Sequence, residues 1–282
     1  MLQNTFCHLP GVGPKTEQRL WKAGIHTWND FQHNGPSRLQ YPSGRYWSQL
    51  VDESLRHLAE GNAQYFEEKI PAKEKWRMFR DFRSSCAYLD IETTGLGSFG
   101  DHITTIALYT GSDLRCYVYG INLEEFAEDV KKYKLLVTFN GTTFDLPFIR
   151  RELKIPLQQA HIDMRFLLRS LGYSGGLKRC ETALGLDRGG LKDIDGSAAV
   201  LLWREYQRTE NQRALETLLA YNVQDTVNLQ TLLMMAFNRK VQCTPFAGEY
   251  LIPEIPDVVN PYKPEPVIVE KVLRMMSWRI PS

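Results

Sequence analysis

The sequence predicts an α/β domain, a sheet flanked by helices, preceded by a smaller helical N-terminal region. Three observations carry this. The stretch Ser84-Ser85-Cys86-Ala87-Tyr88-Leu89-Asp90-Ile91-Glu92-Thr93-Thr94-Gly95-Leu96 is an apolar, β-prone run ending in two carboxylates and a small-residue turn. Further β-prone runs follow at Ile103–Tyr109, Leu114–Gly120 and Leu135–Phe139, interleaved with turn and helical patterns. Before residue 81, apolar residues recur mainly at helical spacing.

The chain has 282 residues, room for one large domain or two unequal ones. Its formal net charge of +1 excludes a global field that recruits a polyanion. Residues 1–80 carry 11 basic against 8 acidic side chains, and residues 81–240 carry 19 against 20. The five cysteines are odd in number, far apart and without a CxxC pair. They point to a reducing, cytoplasmic setting without structural zinc. No signal-like start and no membrane span is expected, so no membrane partner is.

In chain order, residues 1–35 form the first unit. Pro14 suits a first helical position and Gly24 the residue past a helix end, with Lys15, Arg19 and Lys22 along one side. A second short helix is expected from Thr27 as N-cap. The Gly11-Val12-Gly13 turn offers backbone N–H groups at a helix N-terminus, a natural phosphate site. An ordinary helical hairpin with a glycine turn would look the same.

Residues 36–80 read as a helical connector, interrupted early by Pro36, Pro42 and Gly44. Trp47, Leu50, Val51, Leu55 and Leu58 follow at helical spacing, and a strand is expected near Ala63–Lys69. Trp47 and Trp76 are expected in the core.

Residues 81–240 form the α/β unit. Ser85–Ile91 is the first strand, and side chains two apart on a strand share a face, so Asp90 and Glu92 point the same way. Gly111-Ser112-Asp113 joins the next two strands as a hairpin. Asn122–Tyr133 reads as a helix with Leu123, Phe126 and Val130 on one face, and Leu135–Phe139 as a central strand. That strand runs into Asn140 and then Asp145, which reads alone as a helix N-cap, with Pro147 tolerated in the first turn. Given Asp90 and Glu92 upstream, it reads as a third carboxylate at a strand's C-terminal end.

Ala160–Asp163 is a short edge strand or turn. Asp163 reads as a structural partner or N-cap for the following helix Met164–Leu171 ahead of a further ligand, and His161 as structural. Gly175-Gly176 opens a helix at Leu177–Leu184, where Lys178 meets either a phosphate or solvent. Ser197–Tyr206 and Gln212–Met235 are helices. Tyr221 and Asp225, four apart, share a face of the last one, which a buried Tyr–Asp hydrogen bond would also explain. Residues 241–282, with Pro245, Pro253, Pro256, Pro261, Pro264 and Pro266, are expected as an extended arm.

Two buried like charges need a neutralising cation, and hard oxygen donors favour Mg²⁺ or Mn²⁺ over zinc. The set Asp90-x-Glu92, Asn140 to Asp145 and Tyr221-x-x-x-Asp225 resembles the DEDD superfamily of 3′–5′ exonucleases. Tyr221 matches its Tyr subgroup; the His subgroup would need His where Ala220 stands. The wording around the motifs is most similar to the YprB-like ribonuclease H-like branch. This resemblance, over about residues 81–240, implies a ribonuclease H-like mixed sheet flanked by helices. It implies two divalent ions, Mg²⁺ or Mn²⁺, held by Asp90, Glu92, Asp145 and Asp225 and acting on the attacking and leaving oxygens of an in-line displacement. Tyr221 would orient the attacking water, since a tyrosine pKa near about 10 makes a poor base. Thr93, Thr94, Gly95, Leu96 and Asn140 would hold the terminal nucleotide.

The Gly11-Val12-Gly13 turn and Lys15 resemble a helix-hairpin-helix motif, a sequence-independent DNA-backbone clamp, which places DNA ahead of RNA as partner. Two other functions fit the sequence: a non-catalytic nucleic-acid-binding module on the same fold, and a structure-selective endonuclease.

Overall fold

The computed structural model describes residues 1–39, 44–253 and 259–277. Its centre is a five-stranded sheet built from β1 (Cys86–Thr93), β2 (Ile103–Tyr109), β3 (Leu114–Val118), β4 (Leu135–Thr138) and β5 (Ala160–Asp163). The order is β3-β2-β1-β4-β5. β1 pairs antiparallel with β2 and parallel with β4, and β5 is parallel to β4, so the sheet is mixed, as expected. The fully buried β4 is interior, but the middle strand is β1.

Strand alternation sorts the side chains of β1 onto two cores. Ala87, Leu89 and Ile91 pack with Phe126, Val130, Leu146 and Ile149 on one face. Cys86 and Tyr88 join the core of the other face, with Val223, Val227 and Phe237. Asp90 and Glu92 follow Tyr88 on that second face by the same alternation.

The N-terminal region is helical: α1 (Pro14–Lys22), α2 (Trp28–Leu39), α3 (Gly44–Ala59), α4 (Ala63–Lys69) and α5 (Met78–Phe82). Gly13 is the N-cap of α1, and Gly24 lies just past its end at a positive φ of 80°. Thr27 Oγ1 accepts the Asp30 amide and Asp30 Oδ2 accepts the Thr27 amide, closing a capping box at α2. α2 continues through Pro36, and Gly44 begins α3, so neither breaks a helix; Pro42 and Pro256 lie outside the described residues.

The strand expected at Ala63–Lys69 is instead α4. Asn62 caps it through the Tyr65 amide, and its Tyr65 and Phe66 are buried. Local capping overrides the aromatic β preference there. Buried Trp47 and Trp76 join a core continuous with the sheet's second face, and Trp76 and Phe79 pack edge-on to Phe237. Glu17 of α1 takes both guanidinium nitrogens of Arg77 at 2.8 and 2.9 Å and accepts the Phe6 and Cys7 amides.

The helix expected over Asn122–Tyr133 is broken into α6 (Phe126–Asp129) between two 3-10 turns, with Leu123, Phe126 and Val130 all buried. α7 (Asp145–Leu153) follows β4, and α8 (Met164–Arg169) follows β5. α9 (Leu177–Leu184), α10 (Gly196–Thr209) and α11 (Gln212–Gln242) complete the layer on the second face. α11 is 31 residues long, which at 1.5 Å per residue is roughly 46 Å.

The C-terminal segment is not simply extended. After α12 (Ala247–Tyr250) it forms α13 (Pro266–Ser277), whose Ile268 and Val272 are buried against α10 and α11. Pro266 stands at the first position of that helix, where its missing N–H costs nothing. Among the described residues, no helix is long and apolar enough to cross a membrane.

Candidate active site

β1 pairs with β4 only as far as Tyr88–Val137. Beyond that point β1 runs on without its parallel neighbour, and a crevice opens at the C-terminal ends of the two strands. Open α/β sheets place their sites at such partings. Asp90 and Glu92 lie on the free end of β1, opposite Ala107 and Thr105 of β2. α11 crosses this end and supplies Tyr221, Asn222 and Asp225.

Ligand atoms of Asp90, Glu92 and Asp225 lie within 4.8 Å of one another. Asp145 is buried, and its charge is felt at both Asp90 and Glu92. It is the first residue of α7, with Phe144 as N-cap, so the plain capping role does not apply. Burial pushes all four carboxyls up, and mutual repulsion adds to it. Asp90 and Glu92 stand well above the usual carboxylate range, first from burial and then from Asp225. Asp145 is raised to about 7 by burial, against backbone N–H groups at its own residue and Ile91. Asp225 is raised to about 6 by burial, against the Arg188 guanidinium. Converging oxygen donors that repel one another, Glu92 and Asp225 buried and Asp90 half-buried, fit a hard divalent cation. No nitrogen or sulfur ligand belongs to this trio.

Tyr221 is buried on the same helix face. Burial, and then Asp225, push its phenol far up, so it stays protonated at neutral pH and donates.

Two partners of the carboxylates, Asn222 and Arg188, and the groups that hold them escaped the sequence reading. Asn222 Nδ2 donates to Asp90 Oδ2 at 2.7 Å, while Thr105 Oγ1 donates to Asn222 Oδ1 at 3.0 Å, so β2 orients an acid of β1 through α11. Buried Arg188 donates to Asp225 and to Glu181, and Asn228 Nδ2 holds the other oxygen of Glu181 at 2.7 Å. Asn222 had a local signal, being adjacent to Tyr221. Arg188 had none, because it sits in the loop after α9, 37 residues before its partner.

A cleft of about 530 Å³ adjoins the acids; Asp90, Asp225, Asn140, Arg165, Arg169 and Tyr173 line it. Asn140 takes a left-handed φ of 67°, and its Oδ1 accepts from Thr143 and Arg165. Asp163 caps α8 through the Arg165 amide and accepts the Asn140 and Thr142 amides. His161 is pulled down to about 4 by burial and bonds Thr138, a structural role.

Thr93 donates to the Gly95 carbonyl, and Thr94 closes the loop back onto His102. A Cβ on Gly95 would sit 2.5 Å from Asp101 Oδ1, which explains the glycine. Leu96 is 92% exposed.

Lys178 does not line the cleft of the acids. Its Nζ donates to the Lys192 carbonyl, and it borders a second hollow of about 320 Å³ with Arg188 and Lys192. Gly11, Val12, Gly13 and Lys15 also stand apart from that cleft. The Val12 side chain is buried, so only its backbone can meet a ligand, whereas Lys15, Arg19 and Lys22 are exposed.

A family model of the RNase H superfamily matches residues 87–236, more than half of the chain and all five strands. The chain belongs to the RNase H superfamily. Among solved structures it is similar to a family B DNA polymerase from Pyrobaculum calidifontis, at 16% identity and TM-score 0.41, covering 56% of this chain and 24% of the polymerase. It is also similar to the Nibbler EXO domain of Aedes aegypti, at 16% identity and TM-score 0.39, covering 60% of this chain and 86% of that domain. No curated protein matches.

Proposed function

We propose that this chain is a metal-dependent 3′–5′ exonuclease of the DEDD Tyr subgroup, hydrolysing phosphodiester bonds of nucleic acid, with DNA ahead of RNA. The observation that carries the reading is the convergence of Asp90, Glu92 and Asp225 within 4.8 Å at the parting of β1 and β4. Asp145 is the fourth acid of the set. Asp90, Glu92, Asp145 and Asp225 would hold the divalent ions, two in the proposed mechanism, which would supply positive charge for an in-line displacement at phosphorus.

The chain's own groups do the rest. Asn222 fixes the rotamer of Asp90. Tyr221, protonated at neutral pH, donates a hydrogen bond that orients the attacking water and takes no proton from it. Asn140 and the Thr93–Leu96 turn border the terminal nucleotide. Arg165 and Arg169 bring positive charge to the cleft wall, where a polyanion needs it. The helix-hairpin-helix-like turn Gly11–Gly13, with Lys15, Arg19 and Lys22 exposed on α1, is an accessory contact to the phosphate backbone.

The test is 5′-labelled single-stranded DNA and RNA of one sequence, incubated with Mg²⁺, Mn²⁺ or EDTA, with free and blocked 3′ ends, beside Asp145→Ala. A metal-dependent ladder shortening from the 3′ end, stalled by the block and absent in the variant, is expected. Cleavage past a blocked end would make it an endonuclease. Binding without cleavage would make it a non-catalytic module.

A further inference from the structure

The proposed chemistry leaves Arg188 unused, although it touches one of the acids directly. It is 7% exposed, and its two terminal nitrogens are divided between Asp225 Oδ1 and Glu181 Oε2. Its Nε is buried with no hydrogen-bond partner among the described residues. Glu181 is fully buried and pinned by Asn228, one turn after Asp225 on α11. The guanidinium also lies 5.4 Å from the centre of the Tyr221 ring. A buried arginine is tolerated only when its charge is matched, and Glu181 alone matches it. The arm on Asp225 is therefore additional. It uses a carboxylate oxygen that a cation would otherwise take, on the acid that belongs to the converging trio.

We infer that Arg188 is a positioning residue that holds one oxygen of Asp225 against cations, so that the free protein takes one divalent ion tightly and a second only weakly. This rests on the metal-centre reading above and adds to it an order of loading. Glu181 sets how much of the guanidinium Asp225 receives. Relieving Asp225 of Arg188 strengthens cation binding, and relieving Arg188 of Glu181 weakens it.

The experiment is a titration of the metal-free full chain with Mn²⁺, read by calorimetry and by the free-Mn²⁺ paramagnetic resonance signal, neither of which needs substrate. Arg188→Gln alone would strand Glu181 as a buried unpaired charge. The main variant is therefore Glu181→Gln with Arg188→Gln, which removes a balanced pair and leaves an acceptor for Asn228. The wild type is expected to bind one tight ion. The double variant should bind a second ion, or bind the first at least tenfold tighter, and Glu181→Gln alone should bind at least threefold more weakly than wild type.

Two equally tight ions in the wild type, or unchanged stoichiometry and affinity in both variants, overturns the inference and leaves the metal centre standing. No Mn²⁺ bound by any of the three overturns both.

Discussion

Asp145→Asn is the sharpest probe of the buried acids, because its effect on metal-free stability has a fixed sign and a worked size. An ordinary aspartate titrates at 3.8, whereas burial holds Asp145 up to about 7. A folded value raised above the unfolded one means stability that is complete below 3.8 and lost as pH rises through 7. At pH 8 the full difference is felt, roughly 4 kcal/mol at about 1.4 kcal/mol per pH unit. At pH 5 only the interval above 3.8 has been crossed, and the cost is roughly 2 kcal/mol. Asparagine never ionises and escapes both. It accepts one backbone N–H less well, which trims each figure by about 1 kcal/mol.

The assay is urea unfolding of both proteins in EDTA at pH 5 and pH 8. The readout is the difference between them, because His8, pulled down to about 3, and His161, pulled down to about 4, tilt the absolute curve the opposite way in both proteins. The variant should be the more stable at pH 8, by a margin that shrinks at pH 5. Mn²⁺ at 100 times its Kd should then return about 2.7 kcal/mol to the wild type alone. A variant less stable than wild type at pH 8 in EDTA, or a margin independent of pH, refutes the reasoning that repulsive burial needs a cation.

Three further outcomes are expected. Tyr221→Phe should lower the cleavage rate by about 10-fold or more through a misplaced water, while Mn²⁺ affinity by titration stays within twofold; a loss of metal binding would make the phenol a ligand partner instead. Asn222→Ala removes a charge-assisted hydrogen bond worth about 1.5–3 kcal/mol, so Mn²⁺ affinity should fall about tenfold or more, and Thr105→Val should reproduce part of the loss. Lys15→Glu with Arg19→Glu should weaken DNA binding, measured by anisotropy across a salt series, and flatten its salt dependence, with Mn²⁺ affinity unchanged; an unaltered salt slope would remove the accessory contact on α1.

What the sequence made legible follows interaction range. β2 and α9 have the expected bounds, Ile103–Tyr109 and Leu177–Leu184, because their signals are local: an apolar β-prone run and a Gly-Gly helix start. The face that Asp90 and Glu92 share on β1, and the one Tyr221 and Asp225 share on α11, was legible from strand and helix periodicities, whereas their meeting at one place followed only from the resemblance of the motifs taken together. α4 was misread because a run such as Ala63-Gln64-Tyr65-Phe66 has no decisive period, and the Asn62 cap decides it. The C-terminal helix α13 was hidden by the run of prolines from Pro245 to Pro266, yet Pro266 opens that helix instead of forbidding it. Arg188, Glu181 and Asn228 were invisible for another reason. Their bonds cross from α9 and its loop to α11, and no spacing in the chain encodes them.

The same contacts explain why the acids can be held together before any cation neutralises them. Isolated, four carboxylates meeting at one strand end, three of them buried and Asp90 half-buried, would splay or protonate. Here Asp90 is tied to α11 through Asn222, Asp225 is tied to α9 through Arg188 and Glu181, and Asp145 is seated by backbone N–H groups at its own residue and at Ile91 of β1. These ties run to the sheet and to the helices packed on it, and the core that packs those helices is continuous with the N-terminal helices through Trp76, Phe79 and Phe237. The repulsion is thus carried by the packing of the whole chain. A cation entering this site meets ligands already placed, with one Asp225 oxygen still engaged by Arg188, and its binding energy goes into relieving that repulsion instead of ordering loops.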